Sequence, residues 1–225
     1  MIEAISQHTL SCTIELKGQR LSLLPQKCLF WHEEKTLILS DLHLGKAGHF
    51  RKAGIPIPGN IHFDDLQLLD ELIKTWKPVN IIFIGDLFHS DVNSEWLVFE
   101  KWLESHHSLS FILVKGNHDI LPPALYKNSR MAIFEDCLEA LPFLFCHIPP
   151  GSHNRNEESY TLSGHLHPGV KLQGFGRQSE TLPCFHFGND GAVLPAFGRF
   201  TGLSRIKPAP GDKIFAIAGT RVISF

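Results

Sequence analysis

The stretch LILSDLHLGKAGHFRKAG, residues 37–54, decides how this chain reads. An apolar run, Leu37-Ile38-Leu39, breaks off into Asp41-Leu42-His43 and then into a loop carrying Lys46, Arg51 and Lys52. A short apolar run bounded in this way reads as a buried strand. A carboxylate and an imidazole at its tip gain nothing from an apolar layer, because buried charge must be paired or bound to metal. The same break recurs along the chain. Gly85-Asp86 follows VNIIFI, Gly116-Asn117-His118-Asp119 follows LSFILVK, His147 follows FLFC, and Gly164-His165-Leu166-His167 follows YTLS. In open α/β sheets, ligands collect beyond the carboxyl ends of the strands. These strand tips are therefore expected to meet at one rim.

The segments between the tips set the fold class. LSCTIEL, RLSLL, KCLFW and TLILS read as short strands across residues 10–40. Asn60 is placed to cap a helix running to Trp76, with Leu66, Leu69, Leu72, Ile73 and Trp76 at helical spacing. A second helix is predicted from Ser94 to His106, with Trp96, Phe99 and Leu103 inward. Strand, helix and strand in alternation suggest βαβ units and a mainly parallel sheet. The second half changes to strands at FLFCHI, YTLSGH, LPCFHFG, KIFAIAG and TRVISF between Gly- and Pro-rich turns. The expectation is an α/β protein of two packed mixed sheets flanked by helices, forming one domain over residues 1–225.

Composition narrows the chemistry. A net charge of −2 gives no global basic field for a nucleic-acid partner. The 5 cysteines are odd in number and lack CxxC pairing, which argues for a reducing compartment and against a disulfide frame. The opening MIEAISQHTL lacks the pattern of a secretory signal, and no apolar run is long enough to span a membrane. A cytoplasmic location is expected. Histidine is the anomaly, with 14 in the chain. His8, His32, His49, His62, His106, His107, His153 and His186 read as surface scatter; the others gather at the strand tips. Oxygen and imidazole donors without cysteine suit Mn²⁺, Fe or Zn²⁺. One carboxylate can bridge two such ions held about 3.5–4 Å apart.

The series DLH, GD, GNHD, a later His and GHLH resembles the signature of the calcineurin-like metallophosphoesterases, whose fold is a four-layer α/β/β/α sandwich. The flanks SDLHLGKAGHFRKAGIPIP, GDLFHS, VKGNHD, SGHLHPGV, LPCF and VLPAFGRFTG look like the bacterial ligase-associated DNA-damage-response phosphodiesterases, relatives of SbcD-type nucleases. Two departures stand out: His89 in GDLFH occupies a position that is Asp in many members, and His147 lies in CHIPP. The resemblance implies Asp41, His43, Asp86 and His167 around a first divalent ion, with Mn²⁺ foremost. Asp86 would bridge to a second ion, completed by Asn117, His147 and His165. Leu166 would separate His165 from His167 so that alternation along an extended segment turns them to different ions.

The implied activity is hydrolysis of a phosphodiester, with His118 as general acid for the leaving oxygen and Asp119 orienting its ring. Lys46, Arg51 and Lys52 are candidates for phosphate-backbone contact, and His89 for contact with substrate. The favoured substrate is DNA under repair, beside a ligase, a helicase and an exonuclease. A hydrolase of nucleotides or other small phosphoesters is the alternative, and a non-catalytic scaffold of the same fold stands third.

Overall fold

The computed structural model describes residues 11–44, 61–88, 94–149, 158–174, 179–199 and 201–225. Lys46, Arg51, Lys52, His89 and the Asn60 cap lie outside the described residues. The first sheet has 7 strands in chain order: β1 (Cys12–Leu16), β2 (Gln19–Leu24), β3 (Cys28–Trp31), β4 (Thr36–Ser40), β5 (Asn80–Ile84), β6 (Ser110–Val114) and β7 (Met131–Phe134). The strands β1 to β4 form an antiparallel meander, whereas β4 to β7 run parallel. The sheet is thus mixed, not mainly parallel. Its parallel half is joined through helices α1 (Ile61–Trp76), α2 (Ser94–Ser105) and α3 (Pro123–Asn128), as parallel neighbours require a crossover connection.

The second sheet has 9 strands: β8 (Cys137–Ala140), β9 (Phe143–Cys146), β10 (Tyr160–Ser163), β11 (Pro168–Gln173), β12 (Ser179–Phe187), β13 (Gly191–Val193), β14 (Ser204–Arg205), β15 (Lys213–Ala218) and β16 (Arg221–Ser224). Its centre is parallel, with β10 between β9 and β13. Antiparallel pairs extend it on either side, and β14 closes one edge in parallel with β11.

Alternation along the central strands builds two cores. Leu37, Leu39, Ile81, Phe83 and Phe111 face the helices and meet Leu69, Leu72, Phe99 and Leu103. Ile38, Ile82, Ile84 and Val114 face the other way and meet Phe143, Phe145, Leu162 and Phe185 of the second sheet. A strand buried on both faces must be apolar at every position, which is why TLILS and NIIFI read as continuous runs. All three described helices contribute to the first of these cores. The outer face of the second sheet carries a small cluster of Cys184, Ile214 and Ala216 with Val170, Leu182 and Ile206.

The cysteines correct an expectation. Cys137 and Cys146 are joined in a disulfide across β8 and β9, and Cys12, Cys28 and Cys184 are free. Their 9-residue separation conceals that they stand directly opposite each other in the hairpin. The argument from cysteines to a reducing compartment falls with this bond. Among the described residues no helix is long and apolar enough to cross a membrane. Several outlying histidines are also more than scatter: His32 bonds Ser22, His106 meets Asp70, and His186 meets Asp212.

Candidate metal centre

Two sheets stacked face to face bring their strand tips to one rim. From the first sheet come Asp41 and His43 beyond β4, Asp86 beyond β5, and Asn117 and His118 beyond β6. From the second come His147 beyond β9 and His165 and His167 beyond β10. A segment after β13 ties the sheets together beside them: Leu194 N–H donates to Ser163, Phe197 N–H to Ser40 and Gly198 N–H to Asp41.

The donor atoms fall into two groups, Asp41 with His43 and His167, and Asp86 with His147 and His165. Within each, one donor atom per residue lies within 4.8 Å of the others. Asp86 reaches both groups, since its Oδ1 lies 3.3 Å from His147 Nε2 and its Oδ2 3.8 Å from His43 Nε2. Asn117 Oδ1 is 3.1 Å from His147 Nε2.

Proton accounting shows what this arrangement suits. His147 Nδ1 donates to the Ile84 carbonyl at 3.1 Å, so in the neutral ring Nε2 is a lone pair. That lone pair faces Asn117 Oδ1, Asp86 Oδ1 and His165 Nδ1 at 3.1–3.3 Å. The two oxygens among these, set against a lone pair, repel it unless a cation lies among them. His167 repeats the device, with Nδ1 toward the Gly202 carbonyl at 3.2 Å and Nε2 3.3 Å from Asp41 Oδ1. A carbonyl behind each ring fixes tautomer and direction, as is usual behind metal-binding histidines. The donor set therefore fits divalent cations.

The electrostatics of the pair agree. Burial pushes Asp86 up, but His147, the His118 amide and the His43 charge outweigh it and hold the carboxyl down at about 2. Burial lowers His147, yet Asp86 and Asp41 prevail and raise it.

Holding carboxylates so deep requires local backbone work. Asp41, His43, Asp86, His165 and His167 all adopt left-handed φ, between 46° and 69°. Such residues cost of order 1–3 kcal/mol each and persist where surrounding contacts enforce them. The His165 N–H donates to Asp41 Oδ2 at 3.0 Å and the His118 N–H to Asp86 Oδ1 at 2.9 Å. His165 and His167 therefore face different groups because both residues turn, not because the segment is extended. Close approach also demands glycine. A Cβ at Gly85 would collide with the His147 ring, and one at Gly116 with the Asp86 carboxylate.

His118 is half-buried beside the first group, its ring centroid 5.5 Å from that of His43. Asp119, expected to orient that ring, has a different visible task. Its Oδ1 accepts the Phe88 N–H at 3.1 Å and its Oδ2 the Gly116 N–H at 2.8 Å. Burial raises it to about 6 in spite of those amides. The two loops thus exchange carboxylates: Asp86 accepts from the loop of Asp119, and Asp119 from the loop of Asp86. Sequence reading missed this lock, as it missed the Ile84 and Gly202 carbonyls, because backbone donors and acceptors leave no mark on residue type. Beside the ligands, Ile120, Ile148 and Leu166 are exposed, giving the rim an apolar border.

A sequence profile of the calcineurin-like phosphoesterases matches residues 34–188, more than half of the chain. Among solved structures, the nuclease MPE of Pseudomonas putida is similar, with a TM-score of 0.78 and 27% identity over 96% of this chain and 100% of that one. The E. coli phosphoesterase Yfce aligns at a TM-score of 0.47 and 14% identity, over 84% of this chain and 96% of that one. No curated protein sequence matches the chain.

Proposed function

The chain belongs to the calcineurin-like phosphoesterase family, and from that premise we propose that it is a two-metal phosphodiesterase cleaving DNA. We assign it to the ligase-associated DNA-damage-response type, acting in repair beside a ligase, a helicase and an exonuclease. The observation that carries the reading is the pair of donor groups with Asp86 reaching into both. The likeness to a nuclease along nearly the whole chain supports a nucleic-acid substrate.

When bound, two divalent ions, Mn²⁺ foremost, supply Lewis acidity toward the phosphoryl oxygens and lower the pKa of a water nucleophile. The residues supply the rest. Asp41, His43, Asp86 and His167 would hold one ion, and Asp86, Asn117, His147 and His165 the other. The fixed tautomers of His147 and His167 keep an Nε2 lone pair aimed inward without a search through ring orientations. His118 carries the proton for the leaving alkoxide on a ring next to His43. Asp119 pins the loop that bears it.

The purified chain with Mn²⁺ should cleave DNA in a panel of single-stranded DNA, duplex DNA, cyclic nucleotides and phosphomonoesters. Turnover confined to the small phosphoesters would transfer the function to nucleotide or phosphomonoester hydrolysis. No turnover of any member would leave only a scaffold.

A further inference from the structure

Resting on the two-ion reading of the site, we propose that Cys137 and Cys146 form a thiol–disulfide exchange site whose state sets the affinity of the second ion. Cys146 is the residue before His147, and it ends β9. On one side it is bonded to Cys137 of β8, the last strand of the sheet. On the other it is in parallel register with Ser163, after which Gly164 and His165 follow. Gly164 N–H donates to the His147 carbonyl at 3.0 Å, linking the two ligand-bearing turns directly. His147 and His165, both in the second donor group, thus leave the sheet from one pair of neighbouring residues. The disulfide fastens that pair to the edge.

Stability alone is a weak reason for such a bond. Cys137 and Cys146 face each other in a hairpin whose β8–β9 ladder already closes the loop. The entropic gain from cross-linking grows with the loop closed, and this one is short. Access points to exchange. Cys137 is exposed, whereas Cys146 is buried at 3%. Exposed disulfides are the more readily reduced ones.

The reductant is a dithiol. One of its thiolates attacks Sγ of Cys137, the Cys137–Cys146 bond breaks, and Cys146 leaves with the electron pair and takes up a proton. The second thiol then displaces Cys137, releasing the reagent as its own cyclic disulfide. Two electrons and two protons pass to the protein. Oxidation by glutathione disulfide runs the exchange backwards through a mixed disulfide.

The experiment is calorimetric titration of the full chain with Mn²⁺ in both redox states, after the reagents have been removed. Thiols counted in denaturant should number 3 in the oxidised chain, which are Cys12, Cys28 and Cys184, and 5 in the reduced one. Reduction should weaken the second ion about 10-fold, the scale of losing a support behind a metal ligand, and leave the first unchanged. Cys137→Ser, at an exposed position, should match the reduced chain under both conditions. Equal second-ion affinities in the two states overturn the proposal, and so do 5 free thiols after oxidation. Absence of Mn²⁺ binding in either state removes the two-ion reading itself and the proposal with it.

Discussion

The two sheets contribute different chemistry to the same rim. Beyond β4, β5 and β6 stand both candidate carboxylates and Asn117, with His43 the one candidate imidazole donor there. Beyond β9 and β10 the ligand candidates are all histidines. Burial follows residue more than sheet: Asp41, Asp86 and His147 are at most 2% exposed, whereas His165 and His167 are half-buried and Asn117 is exposed. Negative charge sits where three parallel strands and the amides of His118 and His165 hold it, and neutral lone pairs close over it from the facing sheet. A buried carboxylate is tolerable only with such support. An imidazole costs less to bury and can lie nearer the solvent that delivers substrate.

That asymmetry predicts unequal losses. Asp86→Asn removes the charge shared by both groups and should reduce bound metal at both sites. Hydrolysis of a phosphodiester should fall by about 10⁴-fold or more, since several kcal/mol of electrostatic stabilisation go with the ions. His165→Ala takes one neutral donor from one group and should leave one ion per chain. Elemental analysis of the two purified variants makes the comparison, and equal metal loss in both would break it.

His118 tests a different division, between holding metal and moving a proton. It lies on the first-sheet side but outside both donor groups. His118→Ala should keep the metal content and lose about 10²–10⁴-fold in turnover, the range of general acid catalysis. The loss should shrink for substrates whose leaving group needs no proton, so a series of aryl phosphodiesters of falling leaving-group pKa checks the role. A loss independent of the leaving group would make His118 a support for Asp86, to which its amide is already bonded.

The same contrast governs what the sequence discloses. The tips of β4, β5 and β6 are legible because an apolar run, a turn and a polar ligand are consecutive along the chain. So are α1 and the two faces of TLILS and NIIFI, which follow from local periodicity. The second sheet is harder. β7 and β8 are short and poor in marked alternation, and β12 changes partners along its length, pairing with β11, β13 and β15. Pairings of that kind depend on residues far apart in the chain. The Cys137–Cys146 bond was hidden for the same reason, an odd cysteine count outweighing a register not yet known. The candidate donors could be picked out by residue type, but not the left-handed turns at Asp41, His43, Asp86, His165 and His167.

The smallest expected effect lies away from the rim, where the two halves touch again. Arg199, downstream of β13, reaches Asp64 at 3.1 Å and Asp65 at 3.6 Å on α1. Asp65 is buried, and one of its oxygens has no hydrogen-bond partner. Burial pushes its carboxyl up to about 6, against the pull of Arg199 and Lys27. The sign follows from proton counts. Between pH 4 and pH 6 the folded chain keeps a proton that the unfolded chain has released, so raising the pH through this window removes stability. The contribution is complete below pH 4 and is lost by pH 7, and its size is roughly 3 kcal/mol. Asp65→Asn cannot ionise, so urea unfolding of the variant should lack this decline, and the gap between the two chains should widen in the variant's favour from pH 4 to pH 7. This stands opposite to Asp86, whose carboxyl is held low and whose charge the fold needs. A constant gap across that range would mean that Arg199 already compensates the Asp65 charge, and that the contact between the halves is an ordinary ion pair.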